Sequence, residues 1–345
     1  MSDYAAIHDH SALASAESES ARPEFDALLS GCGLFRLSNR AKISLSGKDR
    51  MRWLNGMITN KVRDLAPGQG VYAFVLNPQG HILGDLYAYN RGESLLVDTD
   101  QSQAEKLLEI FRRHIIMDPV QVANLSDQST AIGIAGPKAR EVLRAAGLGF
   151  GELTPLQFVD QTWRELPLSV ARNDNPVIEC YEIWLTPAHV SLLWDALTGS
   201  GATAVGIGAL ELVRIACGIP RYGQDIRERD LPQETEQFRA LNFDKGCYIG
   251  QEIVERIRSR GKVHRTFTGF EVTGPLPLSG QKIQCQGKEV GEVTSAASLP
   301  LAGGNQSVAL GYLRREASSA ENALDAGEAR LRVAELPFVT AFSKG

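Results

Sequence analysis

The feature that most constrains the fold is a change of texture after Gly261. Upstream of it, strand-like and helix-like stretches alternate. Downstream there are only short stretches of alternating apolar and polar residues, at 267–272, 282–285, 289–295, 308–313 and 329–333. Gln286-Gly287-Lys288 suits a hairpin turn between two of them. This pattern predicts a small all-β, barrel-like domain over residues 266–345.

The upstream part reads as an α+β region over 25–265, behind a loosely ordered tail at 1–24 where Ala, Ser and Glu dominate. Strand character recurs at 41–45, 71–76, 82–89, 94–98, 120–122 and 181–185. Helical spacing marks Met51, Trp53 and Leu54, then 104–111, 139–143, 187–197 and 208–216. Ser46-Gly47-Lys48-Asp49 offers an N-cap, Asn77-Pro78-Gln79-Gly80 a turn, and Gly218 with Pro220 a helix stop. Strands and helix, then strands and helix again, predict two α+β halves of similar build, although no sequence repeat relates them.

Bulk properties exclude more than they assign. A length of 345 residues supports two or three domains, and a net charge of −5 argues against a dedicated nucleic-acid binder. No apolar run approaches the roughly 20 residues needed to span a bilayer, and the polar N-terminus has no apolar signal core. Cys32, Cys180, Cys217, Cys247 and Cys285 are dispersed, without a C-x-x-C pair, which argues against zinc and iron–sulfur ligation. Such thiols fit a reducing, cytoplasmic location. Walker A, dinucleotide, nucleophile-elbow and zincin motifs are missing.

Chemistry concentrates in Lys245-Gly246-Cys247-Tyr248-Ile249-Gly250-Gln251-Glu252. Two glycines permit unusual backbone and close approach of a ligand. A helix starting near Ile249 or Gly250 would set its positive end beside Cys247, and Lys245 adds a second positive charge, so both favour a thiolate. A tight turn carrying an inert buried Cys is the plainer alternative. Further on, Arg256, Arg258, Arg260, Lys262 and Arg265 run without an acidic residue. They suit the polyglutamate tail of a folate or an RNA backbone, or else form a solvated helix face.

The octapeptide resembles the Lys-Gly-Cys-Tyr-x-Gly-Gln-Glu motif of the YgfZ-type folate-binding proteins, relatives of the glycine-cleavage aminomethyltransferases (T-proteins) that help maintain iron–sulfur enzymes. Thr59-Asn60, Tyr181-Glu182-Ile183 and the stretch from Arg214 through Tyr222 to Asp225 are similar to other segments of that superfamily. The resemblance implies two intertwined ferredoxin-like halves around a central channel, a C-terminal β-barrel, and tetrahydrofolate or a one-carbon derivative as ligand. It assigns ligand contacts to Asn60, Glu182, Arg214, Tyr222, Lys245 and Tyr248, and chemical roles to Cys247 and Asp85. Glu182 would take the pterin ring through two parallel N–H bonds; by spacing alone it is an exposed strand carboxylate. Arg221, Tyr222 and Asp225 would be displayed on a loop. Two departures stand out. Leu210 replaces an additional Arg of the transferases, and Gly84-Asp85 keeps only one acid of their Asp-Asp pair. The resemblance therefore implies an accessory protein with iron–sulfur enzymes as clients and no membrane partner. The alternatives are a folate-dependent one-carbon transferase and an interaction module that has lost ligand binding.

Overall fold

The computed structural model describes residues 21–301, 304–319 and 323–338. Most of the expected tail lies outside them, and the first helix starts at Arg22, three residues ahead of Phe25. In chain order come α1 (Arg22–Ser30), β1 (Gly33–Arg36), β2 (Arg40–Ser46), α2 (Arg50–Met57), β3 (Gly70–Leu76), β4 (Ile82–Asn90), β5 (Ser94–Asp100), α3 (Gln101–His114) and β6 (Gln121–Asn124). They are followed by β7 (Thr130–Ala135), α4 (Ala139–Ala145), β8 (Phe158–Trp163), β9 (Leu166–Arg172), β10 (Cys180–Leu185), α5 (Val190–Gly199), β11 (Thr203–Ala204), α6 (Ile207–Ala216) and α7 (Gln251–Arg260). The last part holds β12 (Arg265–Thr273), β13 (Lys282–Cys285), β14 (Lys288–Leu301), β15 (Gly304–Arg314), β16 (Leu324–Ala326) and β17 (Ala329–Ala334).

Two sheets and a barrel organise these elements. One sheet has the order β3-β4-β5-β2-β6 and the other β11-β1-β7-β10-β9-β8, while β12-β15-β14-β13-β16-β17 close on themselves. The chain contributes β1 to the second sheet, crosses to build the whole of the first, and returns at β7, so the halves interleave. Helix α3 covers the outer face of the first sheet, its buried face (Ala104, Leu107, Leu108, Phe111) meeting the apolar side of β2 and β5 (Ile43, Leu45, Leu95, Val97). Helices α1 and α6 fill the seam with the barrel, where Phe25, Leu28, Leu212 and Val213 pack with Phe267, Leu299 and Leu310.

The expected elements of the first sheet and the barrel are present, but five of the six strands of the second sheet, all except β10, had no forecast. The hairpin β8–β9 turns through Arg164 and Glu165, both at positive φ (48° and 66°), where Asn-Gly would normally announce the turn. Strand β7 carries Gly133 and two alanines, because Phe35 crosses it so closely that a Cβ at Gly133 would lie 2.0 Å from that ring. The N-cap expected before α2 also differs. Asp49 makes no cap hydrogen bond and pairs instead with Arg52 at 3.0 Å.

Candidate functional site

The inner faces of the two sheets meet across a layer of aromatic residues, and strand register determines what faces it. On the first sheet Tyr72, Tyr87, Asp98 and Lys42 share one cross-strand row, with Phe74 and Asp85 in the row on one side and Tyr89, Leu96 and Ser44 in the row on the other. On the second sheet Glu182 lies between Gly133 and Ala171, and Trp184 between Ala131 and Ser169. Tyr89 is 4.7 Å from the Trp184 ring and 6.4 Å from Tyr87, which is 4.9 Å from Tyr72. Charges interrupt this floor in pairs. Buried Asp98 holds both Arg40, at 2.7 Å, and the fully buried Lys42, so two cations converge on one carboxylate; burial raises its pKa, but the two cations prevail and hold it below the ordinary carboxylate range. A cavity of about 610 Å³ is lined by Ser44, Arg91, Ser94, Asp160, Ser169 and Trp184.

Glu182 is half-buried. Its two oxygens accept from Asn173 Nδ2 and Trp184 Nε1, each at 3.2 Å. A carboxylate has about four acceptor directions, so two remain for a ligand.

Asp85 is engaged differently. Its oxygens accept from Gln103 Nε2 (2.8 Å) and Tyr72 Oη (2.7 Å), and its own N–H donates to Gln103 Oε1 (2.9 Å). A Cβ at the neighbouring Gly84 would lie 2.9 Å from Gln103 Oε1 and 3.0 Å from Leu107. Where the transferases' second acid is expected, the Gln103 amide therefore occupies the space and orients the remaining one. Sequence reading passed over Gln103, although a glutamine on the apolar face of a helix signals a buried polar partner.

Arg239 was also missed. It follows no motif, yet it pairs with Asp174 from the opposite half, and its guanidinium lies 4.3 Å over the Tyr72 ring. Asp174 also accepts from Tyr87 Oη at 3.2 Å. Asn60 contributes through backbone contacts. Its Nδ2 donates to the carbonyls of Tyr72 (2.8 Å) and Arg239 (2.9 Å).

The octapeptide lies against the end of α2 and the β3–β4 turn. Lys245 is buried and its Nζ donates to the carbonyls of Asn55 (2.6 Å), Ile58 (2.6 Å) and Asn60 (2.8 Å), so its charge is directed at the end of α2. Burial pushes its pKa down to about 7. Tyr248 is buried among Phe74, Leu76, Ile82 and Val254, and desolvation, seconded by Glu255, pushes its phenol up to about 12. Cys247 is the exposed thiol of the five, and α7 starts at Gln251, slightly later than expected. Gly250 has φ +82°, and a Cβ there would lie 2.6 Å from the Asn77 carbonyl; Gly246 has open space around it and needs no such freedom.

The Arg214–Asp225 segment is placed differently from the expectation. Asp225 is fully buried rather than displayed. It accepts from Arg214 (2.7 Å), from the Arg221 N–H (2.9 Å), and from Thr294 (2.5 Å) and Ser295 (2.7 Å) of barrel strand β14. Arg214 is half-buried and also bonds Glu211 and the Ile219 carbonyl, which makes this group a knot between α6 and the barrel. Tyr222 does face the first sheet. Its hydroxyl donates to the Leu83 carbonyl and accepts from Lys106, both at 2.7 Å. The basic run is largely paired. Arg256 meets Glu252 (2.9 Å), Arg258 meets Glu255 (3.6 Å), and Arg265 meets Asp230 (2.7 Å) and Glu234 (3.1 Å). The Arg260 side chain lies outside the described residues. The adjacent Glu252 and Glu255 and the distant Asp230 and Glu234 thus supply counter-charges to three of the five basic residues.

Residues 3–245 match a family model described as the GCVT N-terminal domain. The chain belongs to the family of the glycine-cleavage T-protein. Residues 264–340 match a second model, the CAF17 C-terminal beta-barrel domain. Among relatives, an aminomethyltransferase of Rubrobacter xylanophilus is 29% identical over 86% of this chain and 79% of its own length. One from Herpetosiphon aurantiacus is 30% identical over 83% of this chain and 80% of its own. The crystal structure of glycine cleavage system aminomethyltransferase T from Bartonella henselae superposes with a TM-score of 0.83 at 23% identity, over 92% of this chain and 89% of that one. This family member therefore has the expected α+β fold and closed six-stranded barrel. Among the described residues no helix is long and apolar enough to cross a membrane, and no cluster of His, Cys, Asp and Glu could hold a metal ion.

Proposed function

We propose that this protein binds tetrahydrofolate and serves as an accessory factor in the assembly or repair of iron–sulfur enzymes. The observation that carries the reading is the contrast between Glu182 and Asp85. Glu182 keeps two acceptor directions open beside a row of aromatic rings, which suits a flat 2-amino-pyrimidinone. Asp85, the acid that remains of the transferases' pair, has both oxygens engaged by Gln103 and Tyr72. The donor set fits the ligand. Glu182 would hold the ring's N–H edge, the half-buried Tyr87 its face, and Trp184 with Asn173 would keep the carboxylate aimed. Bound tetrahydrofolate would supply a carrier for one-carbon groups. Asp85 would orient Tyr72 and act as a fixed negative charge, while the exposed Cys247 of the octapeptide would meet the client protein.

Titration calorimetry with tetrahydrofolate tests the binding. Saturable heat should weaken about tenfold or more in Glu182→Gln, since one acceptor of a charge-assisted pair is lost. Absence of heat and of any thermal shift at millimolar ligand would favour a plain interaction module.

The relatives' name and the full-length match to an aminomethyltransferase favour a second reading, a folate-dependent one-carbon transferase. Methylene transfer from an aminomethyl-lipoyl donor, abolished in Asp85→Asn, would establish it and displace the accessory role. Without turnover, rescue of iron–sulfur enzyme activity in a deletion strain supports the first reading.

A further inference from the structure

We infer that Arg239 is the specificity residue for a carboxylate at the tail of the ligand, held in reserve by an exchangeable pairing with Asp174; this rests on the folate reading above. Three observations place it there. The aromatic floor runs from Trp184 through Tyr89 and Tyr87 to Tyr72, and the Arg239 guanidinium lies 4.3 Å above that last ring. Trp184, Tyr89 and Tyr72 are themselves buried, so the accessible line along this row is the half-buried Glu182 and Tyr87 and the exposed Arg239, and a flat ligand with its head on Glu182 meets Arg239 at the far end of that line. The other cations of the floor are committed, since Arg40 and Lys42 both serve the buried Asp98. Arg239 keeps 36% of its side chain exposed, whereas Asp174 keeps 13%, so a second anion reaches the guanidinium more readily than its present partner.

The anchoring divides main chain from side chain. Asn60 Nδ2 fixes the Arg239 carbonyl at 2.9 Å and the Tyr72 carbonyl at 2.8 Å, so the backbone stays in register with the floor while the long side chain turns. The pair joins the two halves of the fold, Arg239 coming from the segment that packs on β3 and Asp174 from the loop after β9. When a carboxylate takes the planar guanidinium fork, Asp174 retains the Tyr87 hydroxyl, 3.2 Å away, as its donor. Asp174 is thus both a placeholder and a competitor. It keeps Arg239 oriented without ligand and opposes the incoming anion by like charge.

The chemistry predicts discrimination between two forms of one ligand. Tetrahydropteroate ends in the benzoate carboxyl, whereas in tetrahydrofolate that carboxyl is an amide and the glutamate beyond it carries two carboxyl groups. Affinities of the full-length protein for both, measured by calorimetry at one salt concentration, read the contribution of the tail. Arg239→Ala should weaken tetrahydrofolate by about 10- to 100-fold and change tetrahydropteroate by less than about threefold. Arg239→Lys should fall between parent and Ala for tetrahydrofolate, because a point charge replaces a fork. Asp174→Asn should tighten tetrahydrofolate several-fold, and this opposite sign keeps the test decisive should an Arg239 variant fold poorly. Equal losses for both ligands in Arg239→Ala, or no change in either, would overturn the inference while leaving the Glu182-dependent head site standing. Failure of the parent to bind tetrahydrofolate in a Glu182-dependent way would overturn the folate reading and the inference together.

Discussion

Asp225→Ala is the perturbation that separates ligand site from scaffold in the Arg214–Asp225 segment. Asp225 has no exposed surface and four donors converge on it, two from the loop and α6 and two from barrel strand β14. Its loss leaves Arg214 with a charge half-buried against Glu211 alone, and leaves Thr294 and Ser295 without their main acceptor. Breaking one partner out of a buried ion pair costs about 3–5 kcal/mol, and the four bonds do not add because they share one carboxylate. For a domain of this size that is a fall in Tm on the order of 6–15 °C. All four tryptophans, Trp53, Trp163, Trp184 and Trp194, lie upstream of the barrel, so their fluorescence reports the α+β region by itself. A melt followed at tryptophan should drop with the mutation, and limited proteolysis should begin near the junction between α7 and β12 as the barrel loosens. Ser295→Ala, which removes one neutral donor, should cost only about 1 kcal/mol. A Tm for Asp225→Ala within about 2 °C of the parent, with folate binding abolished, would refute the scaffold argument and return Asp225 and Arg214 to the ligand.

Glu292 predicts an acid limit on stability. Burial alone would raise its pKa, but hydrogen bonds from Arg227 and Lys282 prevail and bring it down to about 2, so its contribution is full above the ordinary value of 4.5 and is lost as pH falls toward 2. Glu292→Gln should flatten that limb of a stability–pH curve by about 1–2 kcal/mol after solvent screening, and an unchanged limb would rule out a stabilising role for the Glu292 pairing with Arg227 and Lys282. Lys245 has a dependence of the same sign in an alkaline window. Its depressed pKa means that the unfolded chain holds more protons between about 7 and 10.5, so stability should rise with pH across that window and the rise should vanish in Lys245→Met. For Cys247, alkylation of the native protein should modify this thiol well before Cys32 and Cys217, whose pKa values burial pushes up to about 12. Cys247→Ser should keep the fold and folate affinity but lose rescue of iron–sulfur enzymes in a deletion strain; full rescue would leave the thiol without a chemical role.

How legible each part was follows from where its information resides. The barrel strands and the first sheet could be read because their alternation is local and their turns use ordinary chemistry, as at Gln286-Gly287, both at positive φ in the structure. The β8–β9 hairpin could not, because Arg164-Glu165 adopts a turn conformation that its residue types do not announce. Paired charges were the second blind spot. The run from Arg256 to Arg265 has no acid within it, yet Asp230 and Glu234 reach Arg265 from more than thirty positions away. Arg239 was invisible for the same reason, since its partner Asp174 belongs to the other half.

The motif residues divide by what folding does to their polar atoms. Lys245, Asn60, Arg214 and Asp225 come to rest on backbone carbonyls or on one another, and each fastens two segments that are far apart in sequence. Glu182 comes to rest with acceptor capacity left over. The two groups are nevertheless mechanically linked. The Lys245 ammonium holds the Asn60 carbonyl, the Asn60 amide holds the carbonyls of Tyr72 and Arg239, and the Tyr72 hydroxyl holds Asp85. A displacement of the Tyr72 backbone would therefore pull, through Asn60, on the segment that displays Cys247. On the folate reading proposed above, these three side chains would connect occupancy of the site to the segment that carries Cys247.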